Sequence, residues 1–188
     1  LKPAVIPRRT SNPLDWLLAR LNSTRTVAWL DLCCGSGKAL VEAGLRVTAL
    51  GLMDRVSMVG VDLVDHFVPA PAELEFLQLE EASVRHFNPG QRFDLITCVH
   101  GLHYVGDKLG TIVRAARWLT PGGLLCANLD AASIKVEGRS KAAVVRALQG
   151  AGLKYEPRRR LLRRDGPATV TLPFVYIGAD DSAGPHYT

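Results

Sequence analysis

The sequence predicts an α/β protein: a doubly wound, mostly parallel seven-stranded sheet with an antiparallel C-terminal hairpin strand. Two observations predict it. Short apolar, β-rich runs alternate with helical patterns from Thr26 to Leu148, the pattern of parallel βαβ units. Beyond them lie two extended segments, 153–164 and 168–177, joined at Asp165-Gly166-Pro167, which is hairpin turn chemistry. The 188 residues, with 47% hydrophobic and 22% charged side chains, fit one globular unit with a single core.

The elements follow in order. Residues 1–13 hold Pro3, Pro7 and Pro13 and predict an irregular arm. Leu14, Leu17, Leu18 and Leu21 then stand at helical spacing, with Ser11 or Asn12 as cap and Pro13 at the first turn. Thr26 to Cys33 predicts a first strand that stops at the glycine loop Cys34-Gly35-Ser36-Gly37, followed by a helix over 38–50. A buried strand over 57–62 ends in Asp62, a short one spans Leu74–Leu79, and a fourth runs from Phe93 to Val99. A helix over Asp107–Leu119 stops at Thr120-Pro121-Gly122-Gly123. Leu124–Leu129 predicts a fifth strand and Lys141–Leu148 a short helix.

Composition narrows the function classes. No apolar run approaches the roughly 18 residues of a membrane span, and the first thirty residues lack the unbroken apolar segment of a secretory signal. Cys33, Cys34, Cys98 and Cys126 sit in apolar stretches without metal-ligand or disulfide spacing. A cytoplasmic protein without a metal is therefore expected. The net charge of +5 is local: without Arg158, Arg159, Arg160, Arg163 and Arg164 the rest of the chain balances. That cluster reads as a solvated or edge-protecting strand. A patch for an anionic substrate, carrier or RNA is the alternative, though no aromatic residues interleave with the arginines.

In an open α/β sheet, ligands bind beyond the carboxyl ends of the strands. At the first strand end, Asp31 precedes Gly35 and Gly37, whose turn lets backbone approach a ligand closely. A carboxylate there would repel pyrophosphate, so the turn suits a cationic ligand better than a dinucleotide. A G-x-G-x-x-G pattern is also missing, which disfavours a nicotinamide oxidoreductase. Asp62 lies 25 residues beyond Gly37, close to the offset at which an acid meets ribose hydroxyls.

With these residues in hand, 26–129 resembles the class I S-adenosylmethionine-dependent methyltransferases. LDLCCGSG is similar to their first motif, with Cys33 in place of its first glycine. Asp62 matches their ribose-binding acid. Phe93-Asp94-Leu95-Ile96 resembles the start of their fourth strand, and Leu119-Thr120-Pro121-Gly122-Gly123 their turn before the fifth. His100-Gly101-Leu102-His103-Tyr104 sits where many small-molecule members carry an Ala-Leu-His-His type segment. The Asn-Pro-Pro-Tyr tetrapeptide of amino-methylating nucleic-acid enzymes is absent.

The resemblance implies a single domain over 1–188. It comprises an N-terminal arm and helix (1–25), a cofactor-binding core (26–129) and a C-terminal substrate-side half (130–188). It implies S-adenosylmethionine as cofactor, held by Asp31, Cys33, Gly35, Gly37, Asp62, Leu63 and Cys98. Glu80 is expected near the adenine, or Glu81 after a one-residue slip. His100 is expected as general base and Tyr104 as an acceptor-orienting group, with His103 holding the loop. The implied activity is methyl transfer to a small molecule. Its rivals are an RNA or protein methyltransferase using the arginines, and a catalytically silent cofactor-binding partner subunit.

Overall fold

In the computed structural model the described residues are 12–99, 101–138 and 140–179. The elements run α1 (Pro13–Arg20), β1 (Val27–Leu32), α2 (Lys38–Ala49), β2 (Val56–Asp62), β3 (Leu77–Glu81), β4 (Phe93–Cys98), α3 (Lys108–Arg117), β5 (Leu119–Asn128), α4 (Lys141–Gly150), β6 (Lys154–Glu156) and β7 (Leu161–Asp165). They form one seven-stranded sheet of order β3-β2-β1-β4-β5-β7-β6. The first five strands pair in parallel, while β7 is antiparallel to β5 and to β6. The expected fold class is the observed one.

Both faces of the sheet are covered, so its central strands are apolar at nearly every position. Consecutive residues divide between two clusters. Trp29, Met58, Leu95 and Leu124 pack with Leu14 and Leu17 of α1 and Leu40 and Val47 of α2. Their neighbours Leu30, Val59, Ile96 and Leu125 pack with Ile112 and Ala116 of α3 and Val144 and Leu148 of α4. At the start of α1, Asn12 accepts the Leu14 N–H at 2.9 Å. That satisfies one of the donors a helix start leaves open.

The amino-terminal rim of the sheet is clamped by Asp94. Its carboxylate accepts the Ala28 N–H at 3.0 Å and the Thr120 hydroxyl at 2.8 Å. The Arg20 guanidinium stands 3.6 Å away and also donates to the Pro121 carbonyl at 2.8 Å. The Thr-Pro-Gly-Gly turn therefore belongs to this clamp. It bulges within β5, which pairs Phe93 with Leu119 but Leu95 with Leu124.

The C-terminal hairpin lies elsewhere than expected. Its turn is Pro157–Arg160, between β6 and β7, and Asp165-Gly166-Pro167 closes no hairpin. Pro157 begins the turn and Arg160 closes it at φ +49°, a conformation that a run of arginines does not advertise. Residues 168–177 form no strand, because Pro167 and Pro173 have no N–H to give a ladder. The Gly166 and Ala168 N–H groups instead donate to Gly123 and to Ala116 at the end of α3. This draws the chain off the sheet and lays Val170, Leu172 and Phe174 on the core.

Candidate functional site

The carboxyl ends of β1, β2 and β4 bring Asp31, Asp62 and Thr97 together around the loop that follows β1. The loop turns sharply: Cys33, Gly35 and Gly37 have φ of +56°, +59° and +72°. Glycine adopts such angles freely, whereas Cys33 does so with a side chain, at a cost of about 1–2 kcal/mol. The next strand-end loop accommodates it, since Gly101 packs directly against the Cys33 Cβ. The Gly35 N–H donates to Asp62 Oδ2 at 2.8 Å, tying the loop to β2.

Asp31 is the electrostatic centre of the site. Its Oδ1 accepts the Thr97 hydroxyl at 2.5 Å, and among the described residues no ion pair reaches it. Burial pushes its pKa up to about 7; the Thr97 bond opposes the shift and the neighbouring Asp62 carboxylate adds to it. A half-buried, desolvated carboxylate with no described cation beside it suits one. The ammonium of the amino-acid end and the sulfonium of S-adenosylmethionine can supply that charge, so the residues present fit this cofactor.

The remaining expected residues are distributed as follows. Leu63 follows Asp62 and is half-buried, and Cys98 is buried at the end of β4. A hydrogen bond shared with the Cys33 side chain, together with burial, holds the Cys98 thiol pKa well up, and burial beside Asp31 and Asp62 pushes Cys34 up to about 12. The Cys34 and Cys98 thiols therefore stay protonated. Of the two acids on β3, Glu81 pairs level with Asp62, while Glu80 pairs with Val61 on the opposite face. Glu80 there lines a groove with Phe87 and Asn88.

After β4, buried Leu102 and Val105 anchor a turn that displays His103 and Tyr104, their ring centroids 3.8 Å apart and their planes tilted by 43°. His100 lies outside the described residues. No group of three or more His, Cys, Asp or Glu side chains among the described residues could hold a metal. No described helix is long and apolar enough to cross a membrane. A cavity of about 390 Å³ sits at the opposite rim, beside Asp94, Arg92 and Arg55, far from these acids.

Three of the five clustered arginines find partners among the described residues, Arg159 and Arg160 at the surface. Arg160 pairs with Asp130 at 3.1 Å and Arg159 with Glu156 at 3.8 Å. Arg164 donates to the Ala151 and Gly152 carbonyls at 3.3 and 3.1 Å. Sequence reasoning missed Trp29 and Thr97. The available signal was period-two spacing, which puts Trp29 on the same face of β1 as Asp31.

Comparison with known proteins places this geometry. Among curated proteins, the ubiquinone biosynthesis O-methyltransferase of Aromatoleum aromaticum is 29% identical over 126 residues, covering 62% of this chain and 50% of the relative. That of Vibrio cholerae is 28% identical over 122 residues, covering 62% and 48%. The chain thus spans about half the length of the curated relatives it matches. Among solved structures, the sugar N-methyltransferase KedS8 from Streptoalloteichus superposes with a TM-score of 0.56 at 18% identity, covering 86% of this chain and 89% of that one. The N-methyltransferase NodS from Bradyrhizobium japonicum, in complex with S-adenosylhomocysteine, gives 0.52 at 17% identity, covering 85% and 90%. These likenesses are of fold. A family model described as "Methyltransferase domain" matches residues 7–164, so with its strand order and glycine loop the chain belongs to the class I S-adenosylmethionine-dependent methyltransferase family.

Proposed function

We propose that the protein is an S-adenosylmethionine-dependent methyltransferase acting on a small-molecule acceptor. The observation that carries the reading is Asp31, a half-buried carboxylate at the end of β1 with no described cation beside it and a glycine turn above it. In this reading 26–129 holds the cofactor and 130–188 shapes the acceptor side. Asp31 faces the amino-acid end, and Asp62 accepts from the ribose hydroxyls. The adenine lies toward Leu63 and the end of β3. There Glu81, level with Asp62, is the better placed of the two acids.

The bound cofactor supplies a methyl group on a positively charged sulfur, which departs as neutral S-adenosylhomocysteine as the bond to the acceptor forms. The protein's contribution is then mainly alignment, which can supply several orders of magnitude in rate. Tyr104, displayed between Leu102 and Val105, orients the acceptor, and His100 takes a proton where the acceptor is a hydroxyl. A small acceptor is supported by the names of the relatives and by the internal pairing of the arginines. Titration calorimetry with S-adenosylhomocysteine and NAD tests the reading: saturable binding of the first alone is expected. Binding of NAD alone, or of neither, overturns it.

A further inference from the structure

We propose that Thr97, aimed by Trp29, is a positioning residue that fixes the Asp31 carboxylate for the ammonium of the cofactor's amino-acid end. The inference rests on the proposed methyltransferase function and assigns a role to two residues deep in the sheet. Thr97 is 1% exposed and pairs with Asp31 across the β4–β1 register. Trp29, two residues before Asp31 on the same strand, is also buried and points to the same face.

The direction of the bonds is dictated by chemistry. An indole N–H can only donate, and Trp29 Nε1 gives its hydrogen to Thr97 Oγ1 at 2.8 Å. The Thr97 hydroxyl has one proton, and with an oxygen lone pair already engaged that proton is directed to Asp31 Oδ1 at 2.5 Å. The chain therefore runs one way, from Trp29 through Thr97 to Asp31. A hydroxyl held as a donor favours the ionised carboxylate. It also leaves the second carboxylate oxygen for an incoming ammonium.

The other groups facing Asp31 push the opposite way. Asp62 at the end of β2 repels a second negative charge, and Asp31 acts in turn on the protonated thiols of Cys34 and Cys98. Burial acts in the same sense as Asp62. Among the described residues, Thr97 is the side chain that opposes them. Its loss leaves Asp31 largely protonated near neutral pH, and a neutral carboxyl holds an ammonium poorly.

The test uses Thr97→Val, Thr97→Ser and Trp29→Phe, with two readouts. The first is the titration midpoint of Asp31 in the ligand-free chain, followed by carbon-13 carboxyl NMR. The second is S-adenosylhomocysteine affinity measured from pH 6 to 9. Thr97→Val should raise the midpoint by about one pH unit and weaken binding about fivefold near pH 7. The affinity should recover toward pH 9. Thr97→Ser should restore both, and Trp29→Phe should shift both in the same direction by less. Should Thr97→Val fail to fold, the serine and phenylalanine variants carry the comparison. An unmoved Asp31 midpoint, or a loss of affinity equal at every pH, overturns the role of Thr97. A parent chain that takes up no S-adenosylhomocysteine at any pH sinks the proposed function itself, whatever the carboxyl signal does.

Discussion

Cys33 and Gly101 share one volume: a Cβ built on Gly101 would lie 2.2 Å from the Cβ of Cys33. Two loops from adjacent strands meet here, and only one of them can carry a side chain. Cys33 carries it despite its left-handed backbone, so the loop after β4 must yield.

Gly101→Ala should therefore destabilise the chain by about 1–3 kcal/mol through overpacking. In a Cys33→Gly background the same substitution should cost less than half as much, because the obstructing Cβ is gone. A double-mutant cycle read by urea denaturation checks this. Additive effects would mean that the two loops relax independently.

The pH dependence of folding follows from Asp31. Its folded pKa, about 7, lies above the ordinary 3.8, so the folded chain binds the proton more tightly than the unfolded one. That stability is fully present below pH 4 and is lost as pH rises through 7. The Asp31 contribution amounts to on the order of 4 kcal/mol. Asp31→Asn, which cannot ionise, should flatten this slope and leave the ligand-free chain more stable than the parent at pH 8. The same variant should bind S-adenosylhomocysteine poorly. Thermal melts of both chains between pH 5 and 8 measure the first effect, and calorimetry the second.

Asp62 holds the glycine loop through Gly35 and is the proposed ribose acid. Asp62→Ala should weaken cofactor binding roughly tenfold to 150-fold, the equivalent of about 1.5–3 kcal/mol. Parent-like affinity in a folded variant would remove Asp62 from the site.

For the arginines, structural and surface roles separate by residue. Arg164→Ala should lower the urea midpoint, because it strips the donors from the Ala151 and Gly152 carbonyls, whereas Arg158→Ala should leave it unchanged. Neither the parent nor the variants should bind a short single-stranded RNA at physiological salt. A submicromolar complex that weakens steeply with added salt would favour a nucleic-acid substrate.

The parts of this fold that could be read from sequence are those whose burial is one-dimensional. β1, β2 and β4 are apolar on both faces, so their runs stand out between polar loops, and Asp31 and Asp62 are conspicuous as acids closing them. What depends on pairing between distant segments could not be read. Glu80 and Glu81 are equivalent until β3 is set against β2, when Glu81 falls beside Asp62. Thr97 is one hydroxyl in an apolar strand until the β1–β4 register places it on Asp31. The hairpin was misplaced because Asp-Gly-Pro is a strong local turn signal. The actual turn uses Arg160 in a conformation that only its surroundings impose.

Asp94 and Asp31 stand on neighbouring strands, with Ala28, which the former holds, about 10 Å along β1 from the latter at strand spacing. One acid has its lone pairs taken up by the protein's own donors; the other keeps some in reserve for a visitor. The sheet is thereby riveted at the rim where nothing need change. The loops after β2, β3 and β4 can be exchanged for others without touching the rivets. A scaffold so divided can be fitted to new acceptors by altering one rim, while the other continues to specify the fold.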